Sequence, residues 1–242
     1  GDSTRVEVYY GFPASEFAEN GEKVRVQRGA VLYDAAGDPV YRAVGQAVYR
    51  ANGEASEGVI PDVVAMEVAP GSYYLLVQAV EEETGRTQVY GMPLRVPAYG
   101  GEQLRLSDVE LAASILPAAS PGAFVKQDLR VVPLATRHYP RQLHVSIYYE
   151  VYGLARDAFG QTDYRVAYTI RPVEEQHFGA KVLSGLGKLV GVEKGDEGVT
   201  ISYDQDGNAP DVASYLAVDM AGSEPGEYVI EVVVTDRGSG EE

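Results

Sequence analysis

The chain has 242 residues, a formal net charge of −16, no cysteine and a hydrophobic share of 45%. Lack of cysteine excludes a disulfide framework, a thiol nucleophile and a cysteine-based zinc site, and the acidic balance argues against nucleic acid or anionic lipid as a bulk partner. No apolar run approaches the ~18 residues of a membrane-spanning helix, while 18 tyrosines and 5 phenylalanines argue against disorder in a chain long enough for two domains.

Taken in chain order, Gly1-Asp2-Ser3-Thr4 offers neither an initiator Met nor a signal-peptide pattern, so the chain is expected to be a mature or excised piece of something longer. Val6-Glu7-Val8-Tyr9-Tyr10 starts an alternation of period two, the pattern of a half-buried antiparallel strand. Turn signals follow at Asn20-Gly21, Ala36-Gly37-Asp38-Pro39, Asn52-Gly53 and Pro70-Gly71. Pro70-Gly71-Ser72-Tyr73 then delivers the chain into a strand with Tyr73, Leu75, Val77 and Ala79 on one face. A tyrosine placed there can return its hydroxyl to nearby backbone, as in the tyrosine corner of immunoglobulin-like sandwiches. Glu81-Glu82-Glu83 reads as a solvated strand end that discourages pairing. Thr84-Gly85 is a turn, and Thr87 to Pro97 is another strand. Leu104 to Leu111 alternates and then turns, as a bridge between domains, and Pro117-Ala118-Ala119-Ser120-Pro121-Gly122 stops both helix and sheet.

The same landmarks then return in the same order. Val145-Ser146-Ile147-Tyr148-Tyr149 repeats the first alternation, and Pro225-Gly226-Glu227-Tyr228-Val229-Ile230-Glu231-Val232 repeats the Pro-Gly-x-Tyr entry. This predicts an all-β protein of two tandem immunoglobulin-like (fibronectin-type-III-like) β-sandwich domains: residues 1–116, a linker at 117–123, and residues 124–242. The second copy carries 16 further residues between these landmarks, placed best at Glu174 to Gly198. Phe178, Val182, Leu183, Leu186, Leu189 and Val190 fall there at helical spacing, so a short helix or compact loop is expected, with Phe178, Leu183 and Leu186 as a candidate partner site. The copies also differ at their ends. Asp128 to Leu134 precedes the second Tyr-Tyr strand, but only Gly1 to Arg5 precedes the first; Thr87 to Pro97 follows the first Glu-Thr-Gly turn, but the second copy stops at Glu242. The first domain is therefore expected to lack its opening strand and the second its closing one.

Candidates for chemistry are few. His138, His144 and His177 form no metal-ligand spacing. Asp204, Asp206 and Asn208, with Asp211 beyond, could present oxygens to calcium, but Ala209 and Tyr215 stand where a calcium loop needs Gly and a bidentate Glu; the competing reading is a turn. No nucleophile elbow, zinc-protease helix or phosphate loop occurs, and Ser184 beside Gly185 has no activating His/Asp pattern. No catalytic residue, cofactor or metal is assigned. Within Tyr9-Tyr10, Tyr73-Tyr74 and Tyr148-Tyr149 the neighbours must face opposite ways on a strand. Tyr10, Tyr74 and Tyr149 are taken as the outward members, suited to protein contacts or sugar stacking unless a neighbouring domain or Arg side chains cover them.

Leu129-Arg130-Val131-Val132-Pro133, Leu143 to Leu154, Tyr164-Arg165-Val166-Ala167-Tyr168 and Pro225-Gly226-Glu227-Tyr228 resemble the β-rich region of bacterial GWxTD-domain proteins. Leu104-Arg105-Leu106-Ser107-Asp108-Val109-Glu110-Leu111-Ala112 is similar to that family's connector. The naming motif is absent, since the chain has no Trp; Thr235-Asp236-Arg237-Gly238 mimics its tail but reads as a hairpin turn in the place of Glu83-Thr84-Gly85-Arg86. The resemblance implies an exported bacterial envelope protein, periplasmic or at the cell surface, with β-sandwich modules and no established catalytic residues. The expected role is a non-catalytic interaction module acting in assembly through open sheet edges. Its partners would be other subunits, flanking domains of the same parent protein, or further copies head to tail, without nucleic acid or membrane insertion. The alternatives are a carbohydrate-binding module using outward tyrosines and the non-catalytic arm of a larger envelope enzyme.

Overall fold

A computed structural model of the chain describes residues 3–13, 23–50, 59–140, 144–174, 181–185, 188–195 and 198–242. The fold is all-β, with no helix among the described residues. Two compact units divide the chain, Gly1–Gly100 with Leu134–Thr136, and Gly101–Pro133 with Arg137–Glu242.

The first unit is built from β1 (Thr4–Pro13), β2 (Lys23–Tyr33), β3 (Pro39–Arg50), β4 (Val59–Val68), β5 (Gly71–Glu81) and β6 (Thr87–Val96). Among the described residues, β1 and β4 form a two-stranded antiparallel sheet, and the others a four-stranded sheet in the order β3-β2-β5-β6. Alternation decides which side chains meet. Val64, Met66 and Val68 of β4 and Val6 and Val8 of β1 pack against Ala30 and Leu32 of β2 and Leu75 and Val77 of β5, so the two sheets share one core.

The second unit contains β7 (Arg105–Leu106), β8 (Glu110–Pro117), β9 (Val125–Lys126), β10 (Leu129–Pro133), β11 (Val145–Tyr152), β12 (Thr162–Pro172), β13 (Lys181–Gly185), β14 (Lys188–Gly195), β15 (Gly198–Gly207), β16 (Val212–Asp219) and β17 (Tyr228–Asp236). One sheet runs β13-β16-β11-β8-β10-β9, with β7 also on β11; the other runs β14-β15-β12-β17. Ile147, Tyr149 and Val151 of β11, Tyr164, Val166, Tyr168 and Ile170 of β12, and Leu216 and Val218 of β16 fill the core between them.

The duplication is visible at both Pro-Gly-x-Tyr entries. The Tyr73 hydroxyl donates to the Ala69 carbonyl (2.8 Å), and the Tyr228 hydroxyl to the Glu224 carbonyl (2.5 Å). In each case the acceptor lies just ahead of the Pro-Gly pair, so the ring braces its own turn. The strands also end alike. Glu81 N–H donates to Arg86 and Gly85 N–H to Glu81, while Asp236 N–H donates to Glu241 and Gly240 N–H to Asp236. Gly85 and Gly240 carry φ of 70° and 78°, the left-handed conformation that suits glycine. Gly240, and not Gly238, is thus the counterpart of Gly85. Glu81 is buried and bonded by the Thr84 hydroxyl, so the three glutamates are not uniformly solvated; Glu82 and Glu83 are. Asp236, fully buried, accepts from Ala155 N–H (2.7 Å), Gly238 N–H (2.8 Å) and the Ser239 hydroxyl (3.0 Å).

Two expectations are corrected. The division falls at Gly100/Gly101, ahead of the linker expected at 117–123. The connector belongs to the second unit, where it lies along β11 as a broken strand. Arg105–Leu106 pair with Tyr152–Val151, and Glu110–Ala112 with Tyr148–Ser146. Ser107 fills the break: its N–H donates to Glu150 O (2.9 Å) and its Oγ accepts from Glu150 N–H (2.8 Å). Consequently the strand beside the second Tyr-Tyr pair is β8; β10 pairs with β8 instead. The second correction concerns the segment expected as a helix or loop. Lys181–Gly185 and Lys188–Gly195 are strands on the edges of the two sheets, paired with β16 and β15. Gly185, Gly187 and Gly191 weaken a helix, whereas the sheet edges offer hydrogen bonds to any extended chain.

Gly153 has φ 75°, and a Cβ there would stand 2.3 Å from the Gln103 carbonyl oxygen. Gly153→Ala is expected to destabilise the protein by more than ~1 kcal/mol. Tyr73→Phe and Tyr228→Phe should each cost about 1 kcal/mol, the worth of one hydrogen bond, and add in the double variant because they brace separate turns. Urea unfolding measures all three.

Candidate interaction surfaces

The two copies allow each opening strand to be compared with its counterpart. Val8 and Tyr10 of β1 correspond to Ile147 and Tyr149 of β11. Both members of the second pair are fully buried, whereas Val8 and Tyr10, which also face inward, are half-buried. The difference lies in the neighbour: β11 has β16 on one side and β8 with β7 on the other, while among the described residues β1 pairs only with β4. The facing strand records the same gap. Tyr90 and Met92 of β6 stand opposite Val77 and Leu75 and share their inward side, yet are 70% and 37% exposed. The sandwich is closed at the other end of β6, where Val96 is buried and Thr4 Oγ1 donates to the Pro97 carbonyl (2.6 Å).

The second unit shows the converse. Leu75 and Val77 of β5 are buried, with β2 and β6 on either side. Their counterparts Ile230 and Val232 of β17 are half-buried, and among the described residues β17 pairs only with β12. The turn at Asp236–Glu241 brings the chain back toward this edge, as the turn at Glu81–Arg86 leads into β6.

A third surface is the outer face of the four-stranded sheet in the first unit. Tyr74 is 47% exposed, lies opposite Tyr33 and Pro93, and rests over Gly91, whose missing side chain leaves room for the ring. Val44 and Val89 are exposed on the same face.

Of the tyrosines expected outside, only Tyr74 is exposed. Tyr10 is half-buried, edge-on to Phe12 at 5.3 Å, and donates to Asp62 Oδ2 (2.6 Å); Asp62 is also paired with Arg28 from the other sheet. Burial, reinforced by the bond to Asp62, raises the Tyr10 hydroxyl pKa. Tyr149 lies in the core, its hydroxyl 2.5 Å from that of Tyr168 across the sandwich, and both are raised chiefly by burial. Its neighbour Tyr148 is buried as well, packed against Ala112 of β8 and Val131 of β10, with Lys126 4.7 Å above the ring. With both members of that pair covered, Tyr10, Tyr74 and Tyr149 do not make a row of exposed rings. Phe178 and Leu186 lie outside the described residues, and Leu183 lies within β13.

Of the calcium candidates, Asp204 is otherwise engaged. Asp204 and Asp206 lie within β15 and Asn208 just beyond it. Asp204 accepts from Arg165 Nε (2.8 Å), its cross-strand partner, and from Arg237 Nη2 (2.5 Å). Among the described residues no three His, Asp or Glu side chains are grouped as metal ligands. No protein-family model matches the chain, and no curated protein matches it at a significant level.

Hydrogen bonds from Arg165 and Arg237 lower the Asp204 carboxyl from 3.8 to about 2. A depressed carboxyl stabilises the fold above its unfolded value, and this contribution is lost as pH falls from about 4 toward 2. Arg237→Ala is expected to raise the Asp204 titration midpoint toward the ordinary carboxylate value, as read from its side-chain carboxyl resonance by NMR.

Proposed function

We infer that the protein is a non-catalytic structural module, built of immunoglobulin-like sandwiches, that joins other polypeptides through open sheet edges in a bacterial envelope or cell-surface assembly. The observation that carries this reading is the pair of incomplete cores. Val8 and Tyr10 in β1, and Ile230 and Val232 in β17, are half-buried where their counterparts in the other copy are covered. An open edge presents a row of backbone donors and acceptors, and a strand added there gains hydrogen bonds together with apolar burial. The acidic charge keeps so incomplete a sandwich soluble and disfavours indiscriminate pairing. The envelope setting rests on the resemblance of the connector and of the Tyr-Tyr strand to GWxTD-domain proteins.

Hydrogen exchange tests this reading. In dilute protein the β1 and β17 amides should exchange far faster than those of β2 and β12. As concentration rises, light scattering should show mass climbing above 26.1 kDa with protection gained at an edge. A strict monomer whose edge strands are as protected as its central ones would overturn it.

A further inference from the structure

We propose that the outer face of the β3-β2-β5-β6 sheet is a docking surface for an amphipathic, carboxylate-bearing segment of another polypeptide. This surface is the face of a sheet within the first unit and does not depend on the open edges above.

Charge is spread unevenly over the chain. Strands β2, β3, β5 and β6 contain six basic residues and one acidic residue, Glu81, in a chain of net charge −16. Glu81 is buried, and Arg28 faces the core, where it pairs with Asp62. Arg25, Arg42 and Arg95 alternate with the inward residues Val26, Tyr41 and Val96, so they stand exposed on the outer face. Among the described residues none of these three arginines has an ion-pair partner. Glu82, just past β5, accepts instead from the Gln27 and Gln46 side-chain amides.

Aliphatic side chains lie among these cations. Across the sheet, Arg42 is followed by Val31 and then Leu76. The row on one side begins with Val44 and ends with Val89, and the row on the other holds Tyr74. Val44 is 78% exposed and Val89 61%. The fold does not require this chemistry. In the second unit the places of Val31 and Leu76 are taken by Thr169 and Glu231, again cross-strand partners, and there Arg165 and Arg237 pair with Asp204.

The two features together select the occupant. Carboxylates give the arginines charge-assisted hydrogen bonds, and apolar side chains between those carboxylates cover the valines. Four strands wide and four outward places long, the face spans roughly 500 Å², the size of patches that mark interaction sites. A second copy related by a two-fold axis would set arginine against arginine. A hydrated polyanion, such as a uronate polymer, would satisfy the arginines but leave the valines in water. Among the described residues of this face it would find a single exposed ring, Tyr74, to stack on.

The test uses the 242-residue chain and two short synthetic peptides, one alternating valine with glutamate and one alternating valine with lysine. By NMR, the glutamate peptide should shift the methyl resonances of Val44, Leu76 and Val89. It should bind about tenfold more tightly than the lysine peptide, with the difference shrinking as salt rises. Joint replacement of Arg42→Glu and Arg95→Glu should reverse the preference, and Val44→Ser should weaken the glutamate peptide severalfold. Neither change should move the unfolding midpoint, because all three side chains are exposed. Equal binding of the two peptides, no methyl shifts on this face at millimolar peptide, or a preference that survives the double replacement would overturn the proposal. So would oligogalacturonate shifting the same methyls as strongly as the glutamate peptide. Self-association that the peptide displaces and the double replacement abolishes would likewise overturn it, by assigning the face to a second copy. Hydrogen exchange of the β1 and β17 amides reads the open edges separately, so failure here leaves that reading in place.

Discussion

A β-sandwich closes only where each sheet covers the inward side chains of the other, and everything in this protein follows from how far that condition is met. In the second unit it is met around β11, which has strands on both sides and side chains buried on both faces. Among the described residues of the first unit two strands oppose four, and the deficit shows at specific inward residues. Burying a Val or Leu side chain is worth roughly 1.5–3 kcal/mol, so a half-covered strand forgoes a sizeable fraction of marginal stability. In the proposed function, that shortfall is the physical motive for recruiting a further strand.

The copies keep positions while exchanging chemistry. Tyr10 and Tyr149 are counterparts, and their cross-strand neighbours are Asp62 and Ser214. Facing them from the other sheet, Ala30 stands opposite Val77 where Tyr168 stands opposite Val232. The second unit thus ties its sheets with a tyrosine–tyrosine hydrogen bond inside a cluster of edge-to-face rings, Tyr149 to Tyr168 and Tyr168 to Tyr203 at 6.1 and 5.9 Å. With alanine in the Tyr168 place, the first unit ties its sheets with the Arg28–Asp62 pair and the Tyr10 hydroxyl. A carboxylate taken out of water needs its partners, so this link specifies how the sheets pair more than it stabilises them.

Ser107 illustrates how a connector can be both strand and break. Its hydroxyl and N–H engage the backbone of Glu150 where the ladder between β7 and β8 is interrupted, so the bend leaves these backbone groups satisfied. The same economy appears at Asp236, a buried carboxylate whose bonds all come from a turn and from Ala155. In both places a polar side chain replaces the missing ladder partner.

The sequence by itself determined the all-β class, the repeated order of landmarks and the braced Pro-Gly-x-Tyr turns. These depend on local chemistry: period-two alternation, proline and glycine at turns, and a tyrosine four residues beyond its acceptor. Tertiary structure decided the rest. Phe178 to Val190 has helical spacing, yet its described parts are edge strands, because the sheet margins supply hydrogen bonds that a glycine-rich helix cannot match. Tyr148 and Tyr149 point to opposite faces, as alternation requires, but both are buried, because Ala112 of β8 and Val131 of β10 pack against Tyr148 on the second face. Leu104 to Leu111 reads as a bridge until β11 provides the edge along which it pairs. Local pattern leaves the role of Asp204 open, and Arg165, across the strand, and Arg237, from the turn after β17, decide it by hydrogen-bonding its carboxylate. In each case local pattern fixes which way a side chain points, and only the long-range pairing of strands fixes what it meets there.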